Sequence, residues 1–218
     1  MTKIRSVLAA ALMISLGNSA LGQSVNPLDL NLITFENRTT QNIEYLFVSP
    51  GDSAHWSTDI LGSGRVLNAG DSRGFYIYYP DRCNEFDFMG MDSSGNSFSM
   101  YGYEICDGTE AVVPINNLPD KAPDLSLAEV RIGNATEYEI HYLFFAPADS
   151  VMWGVDQLDQ DTILNPGDMI TRMLPVTDSR VEYDVQAVDD ETDTYTFQVQ
   201  IDNSKNSHWV VVQSRYID

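Results

Sequence analysis

Two tryptophans stand in matched loops, each bracketed by aspartates at the same spacing: Asp52, Trp56 and Asp59 in one, Asp149, Trp153 and Asp156 in the other. Such a set could do two kinds of chemistry. An indole face can stack on a sugar ring while carboxylates accept its hydroxyl protons, which makes Trp56 and Trp153 candidate ligand-loop residues. Alternatively, carboxylates with Gly51, Ser53 and Ser57 nearby are hard oxygen donors, so Asp52, Asp59, Asp149 and Asp156 are candidate calcium ligands. The specific Asp-x-Asp-x-Asp-Gly run of a calcium loop is missing. The structural alternative is that each tryptophan plugs one end of a small β-domain. Ser53 and Ser150 would then cap a helical turn, and Leu61 and Leu158 would join the core.

Other reactive types give less. His55, His141 and His208 are not at metal-ligand spacing, and no Gly-x-Ser-x-Gly elbow surrounds a serine. Asn37-Arg-Thr39 and Asn134-Ala-Thr136 have the form of glycosylation sequons, but an Asn at such a corner also caps a tight turn with its own side chain. The midpoint between Cys83 and Cys106 falls at Ser94-Gly95, inside the turn-like run Asp92-Ser93-Ser94-Gly95-Asn96, with alternating apolar segments on both sides. That places one cysteine at each open end of a β-hairpin, bridged by a disulfide. No cofactor is required by any of these features, and calcium is the one ion they suggest.

The elements that position these residues come in two copies. A shift of 97 positions brings the chain onto itself without a gap, and 16 of the 35 residues from Asn37 to Asp71 are identical to those from Asn134 to Asp168. Ile43, Tyr45, Leu46 and Phe47 meet Ile140, Tyr142, Leu143 and Phe144, and the turn Asn68-Ala-Gly-Asp71 meets Asn165-Pro-Gly-Asp168. Within each copy the apolar period is two, so the predicted class is all-β: two tandem antiparallel β-sandwich domains, 28–118 and 125–218, with a stiff proline-containing linker at 119–124.

Residues 1–22 read as a signal peptide, with Lys3 and Arg5, an apolar run from Val7 to Leu16, and small residues near Ala20 and Gly22. Its removal leaves 10 basic residues of the 12 against 32 acidic ones, a net charge of −22. Such a chain repels phosphate backbones and anionic lipid, so nucleic-acid binding and membrane insertion are poor expectations. The predicted location is periplasmic or extracellular.

The pattern Asn-x-Thr, Ile-x-Tyr-Leu, Ser/Ala-Pro, Trp-x-x-Asp-x-Leu and Leu-x-x-Gly-Asp, read over Asn37–Asp71 and Asn134–Asp168, resembles a repeat found in many exported bacterial proteins. That resemblance implies export and domain limits, and no activity. The expected function is therefore a non-enzymatic exported binding or accessory module whose partner is a protein, a glycan or a cation. Two alternatives stand beside it: a secreted hydrolase of polysaccharide or peptide that uses carboxylates as acid and base, and a purely structural envelope or matrix protein.

Overall fold

The computed structural model describes residues 24–106, 110–121, 125–176 and 178–218; the expected signal peptide and linker residues 122–124 lie outside them. Among the described residues there is no α-helix, and no helix is long and apolar enough to cross a membrane. The chain is all-β.

In the first half, β1 (Asn31–Asn37), β3 (Ser72–Tyr78) and β6 (Ala111–Ile115) form one sheet. A second holds β2 (Tyr45–Pro50), β4 (Cys83–Met91), β5 (Asn96–Cys106) and the short β7 (Asp120–Lys121). In the second half, β8 (Ser126–Asn134), β11 (Met169–Val176) and β14 (Ser207–Val212) match the first sheet. There β9 (Ile140–Pro147), β12 (Arg180–Asp189) and β13 (Thr194–Asp202) match the second. Each strand of the first half except β7 has its counterpart about 97 residues on. Even isolated bridges repeat: Ile43 with Leu67 and Ile140 with Leu164.

Strand alternation explains the core. Ile33 and Phe35 of β1, Phe75 and Ile77 of β3, Leu46 and Val48 of β2, and Phe86 and Phe88 of β4 point into one cluster between the two sheets. Their neighbours along each strand face the other way. The turns follow from local chemistry. Gly70 and Gly167 take φ of 84° and 85°, a region an L-residue avoids, and Asp71 and Asp168 N–H close the turns on Asn68 O and Asn165 O at 3.0 and 2.9 Å. Asn37 and Asn134 are buried, and their Oδ1 atoms accept the N–H of Thr39 (3.0 Å) and Thr136 (2.9 Å). These amides are spent on the corner.

Cys83 and Cys106 face each other across β4 and β5 with Cα atoms 4.0 Å apart and are disulfide-bonded. Closing 23 residues in this way stabilises the first half by about 3 kcal/mol through chain entropy.

Three features depart from the sequence reading. Pairing is not wholly antiparallel: β6 runs parallel to β1, and β14 parallel to β8. The chain leaves β5 or β13 in one sheet and crosses to the other, where it enters alongside the first strand in the same direction. Asp120 and Lys121, expected in a linker, pair with Ser97 and Asn96 at the edge of β5.

The third departure is the largest. The halves are joined edge to edge through the tryptophan loops. The first loop bridges to β2 (Phe47 with Asp59), and its outer edge meets β11, where Asp59 N–H donates to Met173 O at 2.7 Å. The second loop does the same in reverse. It bridges to β9 (Phe144 with Asp156), forms β10 (Gly154–Val155) against Tyr78 and Ile77 of β3, and donates Asp156 N–H to Tyr76 O at 2.8 Å. Each sheet thus continues through a loop into a sheet of the other half. Met152 and Val155 of the second half pack in the core of the first.

Candidate functional site

The loops are pinned by a reciprocal exchange. Asp52 accepts from Ser150 Oγ (2.7 Å) and Val151 N–H (3.1 Å), while Asp149 accepts from Ser53 Oγ (2.7 Å) and Ala54 N–H (3.2 Å). Deeper in, Asp59 Oδ1 accepts from Leu46 N–H (2.9 Å) and Leu61 N–H (3.1 Å), and its Oδ2 from Gly62 N–H at 2.9 Å. Asp156 Oδ1 takes Leu143 N–H (2.8 Å) and Leu158 N–H (3.0 Å). Buried backbone donors need acceptors, and a carboxylate inside the loop supplies them. The four aspartates therefore do not converge on one point in either loop: Asp52 and Asp149 reach across to the opposite half, and Asp59 and Asp156 hold their own loops. Among the described residues the one cluster of three metal-ligand types is Cys83, Glu104 and Cys106, and its cysteines are consumed by the disulfide.

Burial dominates the electrostatics here. It pushes the Asp59 carboxyl up and the Asp156 carboxyl well up, against the backbone donors and the nearby Arg172 charge. It also brings Arg172 down to about 10, opposed by Asp59. These acids carry the raised pKa of a general acid, yet both lie sealed between the halves, where no substrate reaches. Nor does any serine hydroxyl hydrogen-bond an imidazole among the described residues.

Ser53 caps no helix. Its Oγ accepts the His55 N–H at 2.9 Å in a tight turn, as Ser150 Oγ accepts that of Met152 at 2.9 Å. The loop is irregular because the carboxylate and hydroxyl bonds replace helical ones.

The two tryptophans have diverged. Trp153 is 1% exposed and packs with Phe144, Ala146 and Val188, covered by Val25 and by Tyr78 of the first half. Val25 N–H donates to Gln186 Oε1 at 2.6 Å and seats the N-terminal segment over it. Trp56 packs its inner side on Phe47, Met89 and Met91, the outward face of the β2–β4 sheet, and remains half-buried. Its ring centroid lies 6.2 Å from that of Tyr101, with the planes 50° apart, and Tyr101 is 67% exposed.

Between them opens a recess of about 100 Å³ lined by Ser49, Ser53, His55, Trp56, Asp87 and Tyr101. Tyr183 OH donates to Trp56 O at 3.1 Å and fixes the loop from the other half. Asp87 Oδ1 accepts Gly102 N–H at 2.8 Å, which orients the carboxylate. His55 sits 3.5 Å from Asp178 and 3.9 Å from Asp149. At the matching positions of the second half stand Ala146, Ser150, Met152, Trp153, Asp184 and Gln198, so His55 and Tyr101 have no polar aromatic counterpart there. A larger hollow, about 330 Å³, lies beside Leu28 and Pro80, but Tyr79 is buried and Tyr78 is turned into the Trp153 cluster, so little aromatic face is offered.

Of the residues that line the recess, the sequence marked Trp56 as a candidate but not Tyr101, His55 or Asp87. For His55 and Tyr101 the signal was the mismatch between copies, Met152 and Gln198 standing at their places in the second half; Asp87 matches Asp184 and gave no such signal.

No protein-family model matches this chain, and no curated protein does. Among solved structures it is similar to a family 26 carbohydrate-binding module from Eubacterium rectale in complex with maltoheptaose. Identity is 10%, and the match covers 84% of this chain and 91% of that one, with a TM-score of 0.23. A superposition at that level defines neither a shared fold nor a shared ligand.

Proposed function

We propose that this protein is an exported, non-enzymatic module that binds a neutral glycan at the Trp56–Tyr101 recess of its first half. The observation that carries this reading is the divergence of the two loops. The same tryptophan is sealed in one copy and left half-open in the other, beside a largely exposed tyrosine and an oriented aspartate. Two tilted rings offer apolar faces to the C–H side of a pyranose. Asp87, His55 and Ser53 supply hydrogen-bonding groups at the rim, the mix of apolar wall and few polar groups that small-molecule sites use. The net charge of −20 over the whole sequence, and the aspartates around His55, favour uncharged ligands over uronic acids or phosphates.

Electrophoresis through gels containing neutral polysaccharides, with soluble oligosaccharides as competitors, tests the reading. Wild-type protein should be retarded by at least one neutral glycan, and Tyr101→Ala should weaken retention about tenfold or more without changing the fold, since its ring is mostly in water. Mobility unaffected by every neutral glycan, or retention unchanged in Tyr101→Ala, contradicts it.

A further inference from the structure

The joining surface of the two halves is nearly symmetric in backbone and asymmetric in charge. Asp59 N–H to Met173 O and Asp156 N–H to Tyr76 O are the same bond related by the internal shift, as are the Asp52–Ser150 and Asp149–Ser53 pairs. A surface of this kind is isologous and would pair with itself as readily as with its partner. The side chains at four positions break that equivalence.

In the first half, position 62 is glycine and position 75 is phenylalanine; in the second, the matching residues are Asp159 and Arg172. Arg172 is buried and donates to Gln157 O, and a Cβ at Gly62 would lie 2.1 Å from its Nη1. A side chain at position 62 would have to displace this guanidinium, and the φ of 81° at Gly62 also favours glycine there. On the other side, Asp159 is buried and pairs with Arg65 (2.6 Å) and Arg73 of the first half, and Thr162 Oγ1 donates to it at 2.5 Å. Burial opposes ionisation of Asp159, but the Thr162 hydrogen bond and the Arg73 and Arg65 charges outweigh it and hold the carboxyl below its ordinary range. Arg65 and Arg73 correspond to Thr162 and Ile170 in the second half.

Now consider the two wrong pairings. Two first halves would leave Arg65 and Arg73 facing Gly62 with no acid, and would bury Asp59 without the compensating Arg172. Two second halves would set the Asp159 side chain in the space that the Arg172 guanidinium fills, opposite Thr162 and Ile170 in place of two arginines. The first leaves two partly exposed arginines without their acid, and the second takes two cationic partners from Asp159 and crowds the Arg172 guanidinium, so each is disfavoured against the native pairing.

We propose that the Gly62/Arg172 contact and the Asp159/Arg65/Arg73 ion cluster make each half a docking surface for the complementary half alone. The protein is thus a fused heterodimer of repeats, and a second copy of the chain could exchange halves with it only crosswise, first with second. The selectivity lies in side chains; the strand pairing that provides most of the contact is indifferent to it.

The test starts from the intact protein, with a protease site placed at 122–124, cleaved after folding. The nicked protein should remain one complex with one copy of each half by native mass spectrometry. After denaturation and refolding together, mixed pairs should exceed each kind of like pair by about tenfold or more, against the roughly twofold excess over each that random assortment gives. Release of separate halves on nicking, or like pairs in random proportion, overturns the proposal.

A measurement on the uncut chain decides the matter if the separated halves do not refold. Asp159→Arg should lower the melting midpoint by about 5 °C or more, and adding Arg65→Asp and Arg73→Asp should restore most of that loss. An unchanged midpoint in Asp159→Arg, or no recovery in the triple variant, overturns it as well.

Discussion

Asp156→Ala should destabilise the protein by about 3–5 kcal/mol, while Asp156→Asn should cost far less and become the more favourable variant as pH rises. Alanine strands the buried N–H groups of Leu143 and Leu158, each worth roughly 1–3 kcal/mol when left unsatisfied. Asparagine keeps the accepting oxygen and drops the ionisable one. The pH dependence follows from the raised pKa. Burial makes the folded state hold the Asp156 proton more tightly than the unfolded chain does, from whose ordinary value near 3.8 it is raised. The stability this brings is complete below that value and is lost as pH rises through the folded pKa. Asp59 acts in the same direction.

General charge repulsion also grows over this range, so the informative quantity is the difference between wild type and Asp156→Asn at each pH, read from urea midpoints at constant salt between about pH 4 and 8. Equal losses for alanine and asparagine, or a pH-independent difference, would mean that the carboxylate is not a buried acceptor.

The second large effect separates the two tryptophans. Trp153→Ala should cost about 3–5 kcal/mol, as deletion of a fully buried indole does, because Phe144, Val188, Val25 and Tyr78 cannot close over the space. Trp56→Ala should cost clearly less, since one side of its ring already faces the recess. Because each sheet runs from one half into the other, both variants should still unfold in one transition. Two resolved transitions, or equal losses, would contradict the description of the joined sheets and of the open recess. Denaturant unfolding followed by tryptophan fluorescence and by far-ultraviolet circular dichroism reads both quantities.

Much of the fold was legible because it rests on local pattern. Alternation in Ile33–Phe35 and the β-forming run Tyr45–Val48 mark strands whichever partner they take, and the run Asp92–Asn96 between Cys83 and Cys106 marks a hairpin with its bridge. The turn at Gly167 follows from the need for positive φ after Pro166. The join between halves had no such mark. Asp59 and Gly154 belong to irregular loops, and nothing in their period says that they lie against β11 and β3.

The surroundings of the aspartates were hidden for a related reason. An acid beside glycine and serine looks alike in sequence whether it faces water, an ion or its own backbone. A clue was present: Asp59 and Asp156 recur at one distance from the Tyr-Leu-Phe strand, while many other acids differ between copies. Arg172 also announced itself, as a lone charge at an inward position of Met169–Val176 opposite Phe75.

Isothermal titration calorimetry with the oligosaccharide of whichever neutral glycan retards the protein is the most direct test, since duplication supplies two loops and only the Trp56 loop is open. One site per chain is expected, abolished by Trp56→Ala. Two equivalent sites per chain, or one site that survives Trp56→Ala, would contradict it.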